Sequence, residues 1–145
     1  MARGSEAFFK QLVVRRLKRK WSSKDGIGPA RVSAAERRLK LKFPEALRAL
    51  YRTIGALPDF CTIHNQVRAP EDVAVESEYL IFMDENEDVV TWGIRVKDLG
   101  KPDPVVWQRV NAPTEQWFSE RKSVTKLFAS MLAWYASIGV WHQHR

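Results

Sequence analysis

The sequence predicts an α+β domain, a twisted and mostly antiparallel sheet packed with N-terminal helices and a C-terminal helix. Three observations carry this. Apolar residues keep a helical period through the first third of the chain, alternate in strand fashion between residues 78 and 119, and return to a helical stripe from residue 123. With 145 residues, 45% of them hydrophobic and six of them Trp, the chain is the size of one domain and can build a core.

Residues 7–21 read as an amphipathic helix. Phe8, Phe9, Leu12, Val13 and Leu17 share one face, Lys10, Arg15, Arg16, Lys18, Arg19 and Lys20 take much of the rest, and Trp21 closes it. Residues 22–28, with two glycines and Pro29 behind them, form a loop. Ser33 followed three residues later by Glu36 is the reciprocal capping-box pattern, so a second helix is expected over residues 33–41. Pro44 suits the first position of a third helix, where a missing N–H costs nothing. Leu47, Leu50, Tyr51 and Ile54 supply its buried stripe and Gly55 its stop.

The period then changes. Residues 78–83 are apolar on both faces, as an inner strand would be. The acidic turn 84–88 leads to a strand over residues 89–96, where Val90, Trp92, Ile94 and Val96 point one way. A polar link with Gly100, Pro102 and Pro104 precedes a strand at 105–110 and a short last one at 115–119. Ser123 then caps a closing helix with Val124, Leu127, Phe128, Met131, Leu132 and Tyr135 on one stripe.

Charge is segregated. Residues 1–52 hold 15 basic and 4 acidic side chains (net +11), residues 53–120 hold 5 and 13 (net −8), and residues 121–145 hold 4 and none. The single cysteine, Cys61, excludes an internal disulfide framework and fits a reducing compartment. The longest early apolar run is Leu12-Val13-Val14, too short for a signal peptide. The stretch 127–141, broken by Ser130, Ser137 and Gly139, falls short of the roughly 20 residues of a membrane helix. A cytoplasmic protein is expected.

The catalytic signals are thin. Cys61 and His64 lie three apart without an Asn or Asp partner in a motif, and His142 and His144 have no further metal ligands beside them. Gly26-Ile27-Gly28 lacks the strand and spacing of a phosphate loop. No catalytic residue, metal or cofactor is expected. Trp92 alternates with Val90 and Ile94, which turns it toward the core, and Gly93 permits a close approach by a neighbouring element.

Three stretches together resemble the SUKH superfamily, the Smi/Knr-type domain. Residues 33–55, SAAERRLKLKFPEALRALYRTIG, are similar to its entry pattern, with Glu36, Leu39, Pro44, Glu45, Leu47 and Gly55 in place. Residues 79–106, YLIFMDENEDVVTWGIRVKDLGKPDPVV, resemble its strand, acidic turn, Trp92-Gly93-Ile94 strand and the segment holding Asp103 and Pro104. Trp117 with the helix over 123–138 stands where that family has an aromatic strand and a final helix. The resemblance covers residues 32–138. Val105 stands where the family repeats Pro, and the basic helix lies outside its pattern. Residues 1–31 therefore read as a basic helix and loop attached to a SUKH-like unit over 32–145, the whole one folding unit. The resemblance implies a non-enzymatic fold and, for bacterial members, an immunity protein that binds and neutralises a cognate toxin; some eukaryotic relatives are regulatory scaffolds.

A partner surface follows from charge. Glu76, Glu78, Asp84, Glu85, Glu87, Asp88, Asp98, Asp103 and Glu115 fall in or between the strands, and would give the sheet side a negative field suited to a basic nuclease toxin. Asp84, Glu85, Glu87 and Asp88 with the aromatic anchors Trp107 and Trp117 are the expected toxin-facing residues. The alternative is nucleic acid, or a scaffold role, through the basic N-terminal helix, whose basic face carries no aromatic to stack on a base.

Overall fold

A computed structural model describes residues 2–62, 65–87, 89–111 and 113–137. Among these residues the order is α1 (Ala2–Leu17), α2 (Pro29–Leu39), α3 (Glu45–Ile54), α4 (Pro58–Cys61), β1 (Asn65–Val67), β2 (Ala74–Glu76), β3 (Tyr79–Glu85), β4 (Val90–Arg95), β5 (Val105–Val110), β6 (Gln116–Ser123) and α5 (Val124–Ser137). The strands form one antiparallel sheet in the order β1-β3-β4-β5-β6, with β2 pairing the other half of the β3 edge. This is the expected α+β architecture.

Helix α1 buries the side predicted for it. Phe9, Leu12 and Val13 are buried, and Phe9 meets Phe128 of α5 edge-on with ring centroids 6.2 Å apart. The helix ends at Leu17 because Lys18 turns left-handed (φ 58°), so Trp21 lies beyond it. That indole is instead held by the carbonyl of Thr53, to which its N–H donates over 2.6 Å, and by the Lys10 ammonium 4.2 Å from its ring. Core residues of α1, α3 and α5 belong to one cluster, and residues 31 and 32 both lie inside α2.

The capping box expected at Ser33 is absent. Pro29 starts α2 four residues earlier, which leaves Ser33 inside the helix. Glu36 turns inward and accepts the N–H of Phe43 over 2.7 Å, so its carboxylate fixes the chain reversal after α2 instead of its start. The reciprocal box occurs elsewhere, at Ser22 and Asp25, and Arg19 locks it with two hydrogen bonds to Asp25 of 3.0 and 2.9 Å. Pro44 precedes α3 as its N-cap. Gly55 stops α3 without a left-handed turn (φ −60°); a Cβ there would sit 2.6 Å from the Tyr51 carbonyl and 3.0 Å from Ile27.

Residues 56–77, which show no periodicity, supply α4 and two three-residue strands. The last strand runs to Ser123, four residues past its expected end, because its outer half still pairs with β5 as far as Val105. Link 101–104 ties two helix N-termini to the sheet. The Pro102 carbonyl accepts the N–H of Ala46 in α3 over 2.8 Å. Asp103 accepts both the N–H (3.1 Å) and the hydroxyl (2.5 Å) of Thr125 in α5, and the Pro104 carbonyl accepts the N–H of Val124. Ser123 adds a longer contact to Lys126 N–H at 3.4 Å.

Candidate functional site

The helices cover one face of the sheet, on which Leu80, Met83, Trp92, Ile94 and Val106 join the helical core. Trp92 is buried there, as expected, and its indole donates to Glu120 over 2.8 Å. Register then decides what the opposite face holds. Tyr79 pairs with Arg95, Gly93 with Trp107, and Arg109 with Trp117, so these residues share the side turned away from the helices.

On that face three half-buried aromatics form a cluster. Tyr79 stacks on Trp117 with centroids 3.6 Å apart and planes 4° from parallel, and meets Trp107 edge-on at 6.2 Å. Gly93 makes this possible. A Cβ there would stand 3.3 Å from the Tyr79 Cβ and 3.0 Å from both the Leu80 carbonyl and Ile81, so the expected close approach comes from β3. The Arg95 guanidinium sits 4.2 Å over the Trp107 ring, and that of Arg109 lies 5.5 Å from Trp117. The buried indole N–H of Trp107 has no acceptor among the described residues.

A polar chain borders the cluster. Arg109 donates to Glu76 and to Asn111, both over 2.8 Å. Asn111 donates to the Thr91 hydroxyl at 3.3 Å, Thr91 to Asp84 at 3.2 Å, and Arg68 clasps the same carboxylate over 2.6 and 3.1 Å. Four strands and the residue after β1 are thereby cross-linked through side chains, which holds the aromatic rings on a rigid support.

The structure therefore brings Trp107 and Trp117 together and separates the acids expected beside them. Asp84 lies on the aromatic face with both oxygens engaged. Glu85, one residue on, turns to the helical side and lines a hollow of about 460 Å3 with Asn65, Glu87, Trp92 and Trp134. Strand alternation forces this split. Glu87 is exposed at the turn, and Asp88 lies outside the described residues, as do His64, His142 and His144.

The acidic middle of the chain is also less free than its charge count implies. Glu71 pairs with Arg31 at 2.6 Å, Glu76 with Arg109, Asp84 with Arg68, and Asp98 with Arg95 and Lys101 at 3.5 and 3.3 Å. Asp103 and Glu120 are engaged by Thr125 and by Trp92 and Gln108.

Sequence reasoning missed Tyr79, Arg95 and Arg109. The period-2 spacing of Trp107 and Arg109 is visible in the sequence, but Tyr79 and Trp117 join them only through strand register.

Cys61 is buried, and burial pushes its thiol up to about 12, far from a nucleophile's range. No cluster of three or more metal-binding side chains occurs among the described residues, and none of their helices is long and apolar enough to cross a membrane.

Comparison with protein-family models, curated proteins and solved structures returned no match to this chain.

Proposed function

We propose that this chain is a non-enzymatic protein-binding module of the SUKH type, an immunity protein of the bacterial cytoplasm that binds and neutralises a cognate toxin domain through the aromatic face of its sheet. The observation that carries the reading is the Tyr79–Trp107–Trp117 cluster, half-buried with Arg95 on a face turned away from the helices and backed by the buried Arg109. Trp, Tyr and Arg are the residue types that dominate binding energy in protein interfaces, and rings held in place before contact lose little entropy on binding.

The same geometry favours protein over nucleic acid on this face. The rings are engaged by each other and by their own arginines, whereas stacking a base needs an open ring face. In the basic N-terminal segment Arg19 is bound to Asp25 and Lys10 lies over Trp21, so two of its six cations are already engaged within the fold.

The test is affinity capture from the native host at low and high salt, nuclease-treated, with Ser119→Arg and Trp117→Ala as variants. Ser119 is exposed beside Trp107 in register, so Ser119→Arg obstructs the face without removing a ring. A single stoichiometric protein with a toxin-like domain, held at both salts and weakened by about 30-fold or more in each variant, is expected. A partner retained equally by both variants, or retention of nucleic acid alone in an untreated parallel sample, overturns the proposal.

A further inference from the structure

The helical layer holds a second concavity, independent of the aromatic face. Between α2 and α3 lies a cavity of about 210 Å3 with an apolar floor from Ile27 and Val32 and polar walls from Ser33, Arg48 and Arg52. A more open trough of about 530 Å3, edged by Arg37, Lys40 and Lys42, adjoins it, and both hollows share Ser33, Glu36 and Lys42.

Its electrostatics follow from the pairing. Glu36 is the one acid lining either hollow among the described residues. Its carboxylate is matched by the Phe43 N–H at 2.7 Å and by Arg48 at 3.5 Å. Arg48 is further fixed by the Phe43 carbonyl (3.0 Å) and Glu45 (3.7 Å), and Arg52 by Glu6. Arg37, Lys40 and Lys42 differ: all three are exposed, and none has a carboxylate within 4.0 Å among the described residues. The fold itself gathers them. Lys40 adopts the left-handed conformation (φ 58°) that ends α2, and the chain reversal anchored by Glu36 lays Lys42 back along the trough.

Three unmatched cations along one trough, beside a serine hydroxyl and a pocket with an apolar floor, match the chemistry of a phosphate group carried on a less polar body. A phosphate's several oxygens can take the Arg fork and separate Lys donors at once. We propose that the α2–α3 trough binds a phosphate-bearing ligand, with Arg37, Lys40 and Lys42 contacting the phosphate and Ile27 and Val32 the remainder. Its source is a free nucleotide or a nucleic-acid strand, which share this chemistry and which the test separates.

The experiment uses the full chain with three probes: pyrophosphate and adenosine diphosphate by calorimetry, and a labelled single-stranded oligonucleotide of about ten nucleotides by anisotropy. Two double variants of equal charge change are compared, Arg37→Glu with Lys42→Glu in the trough, and Lys18→Glu with Lys20→Glu after α1. All four positions are exposed, and unchanged melting temperatures establish that the fold is intact.

The trough variant is expected to weaken binding by about tenfold or more and the control by less than about threefold at about 50 mM salt. Binding of diphosphates assigns the site to small ligands; binding of the oligonucleotide alone, with affinity falling steeply toward about 200 mM salt, assigns it to nucleic acid. Equal losses in both variants, which mark a diffuse positive field, or binding by none of the probes, overturn the proposal.

Discussion

Gly26 and Gly28 lie two residues apart in one loop, yet alanine should have very unequal consequences at them. A Cβ at Gly26 would stand 1.7 Å from the carbonyl oxygen of Arg52, 2.4 Å from its carbon and 3.1 Å from the Thr53 nitrogen. Those are backbone atoms in α3, so no side-chain rotation relieves the clash, and the loop must lift by roughly 1.5 Å or more to regain van der Waals separation. Lifting it strains three hydrogen bonds. They run from Ile27 N–H to Tyr51 (2.8 Å), from Ala56 N–H to Asp25 (2.9 Å) and from the Trp21 indole to Thr53 (2.6 Å). At about 1 kcal/mol net each, their loss sums to about 3 kcal/mol, or close to 10 °C in melting temperature for a domain of this size. At Gly28 nothing lies within 4 Å of the added carbon, and φ is −60°, so Gly28→Ala should change stability by less than about 1 kcal/mol. Urea titrations and thermal melts of the two variants decide the matter. If they agree within about 1 kcal/mol, the loop is not held against α3 in this way and the reasoning fails.

Glu36→Ala leaves the Phe43 N–H without its acceptor and should cost about 2–3 kcal/mol, while Ser33→Ala, inside α2, should stay within about 0.5 kcal/mol. A urea midpoint for Ser33→Ala as low as that for Glu36→Ala would restore the capping box. Arg31 holds the Glu71 carboxyl down at about 2 from its usual 4.5, and Arg19 likewise lowers Asp25. Because both are depressed by folding, their stabilisation is complete above the ordinary carboxylate range; that of Glu71 is lost as pH falls from about 4.5 toward about 2, and that of Asp25 as pH falls below its ordinary 3.8. Unfolding midpoints measured across that window should drop, less steeply in Arg31→Ala; a flat profile contradicts both pairs. The Cys61 thiol, pushed up to about 12 by burial, should label with a disulfide reagent at neutral pH only as fast as the protein opens. Immediate native-state labelling is the opposing result.

Elements with strong periodicity were legible. Residues 105–110 form β5 as expected, and α3, β3, β4 and α5 agree within a residue or two at each end, because their stripes are long enough to outweigh local signals. The failures have identifiable competitors. At Ser33, a side-chain pattern with two possible structural meanings lost to the start signal of Pro29. At Trp21, a helical-looking tail lost to a left-handed Lys18 and a tertiary hydrogen bond 32 positions away. β1 and β2 are three residues each, below the length at which alternation carries information.

The candidate site was half legible, for a reason that concerns charge. The net charge of a segment suggests a surface property, yet its first use in this fold is internal. Arg31 from the basic front meets Glu71 from the acidic middle, and Arg68, Arg95 and Arg109 answer Asp84, Asp98 and Glu76 within that middle. Carboxylates placed near strand backbones find arginines at cross-strand distance, and partly buried charges go unpaired only at a cost. What such pairing leaves over locates a surface better than the count does. On the sheet it leaves Trp107, Trp117 and Tyr79, rings that no internal ion pair can absorb. Around the trough beside α2 it leaves Arg37, Lys40 and Lys42. Aromatic parity along paired strands and unmatched cations at a chain reversal are both visible in a sequence once register is known. An acidic turn read without register puts Asp84 and Glu85 on one surface, where a strand must put them on two.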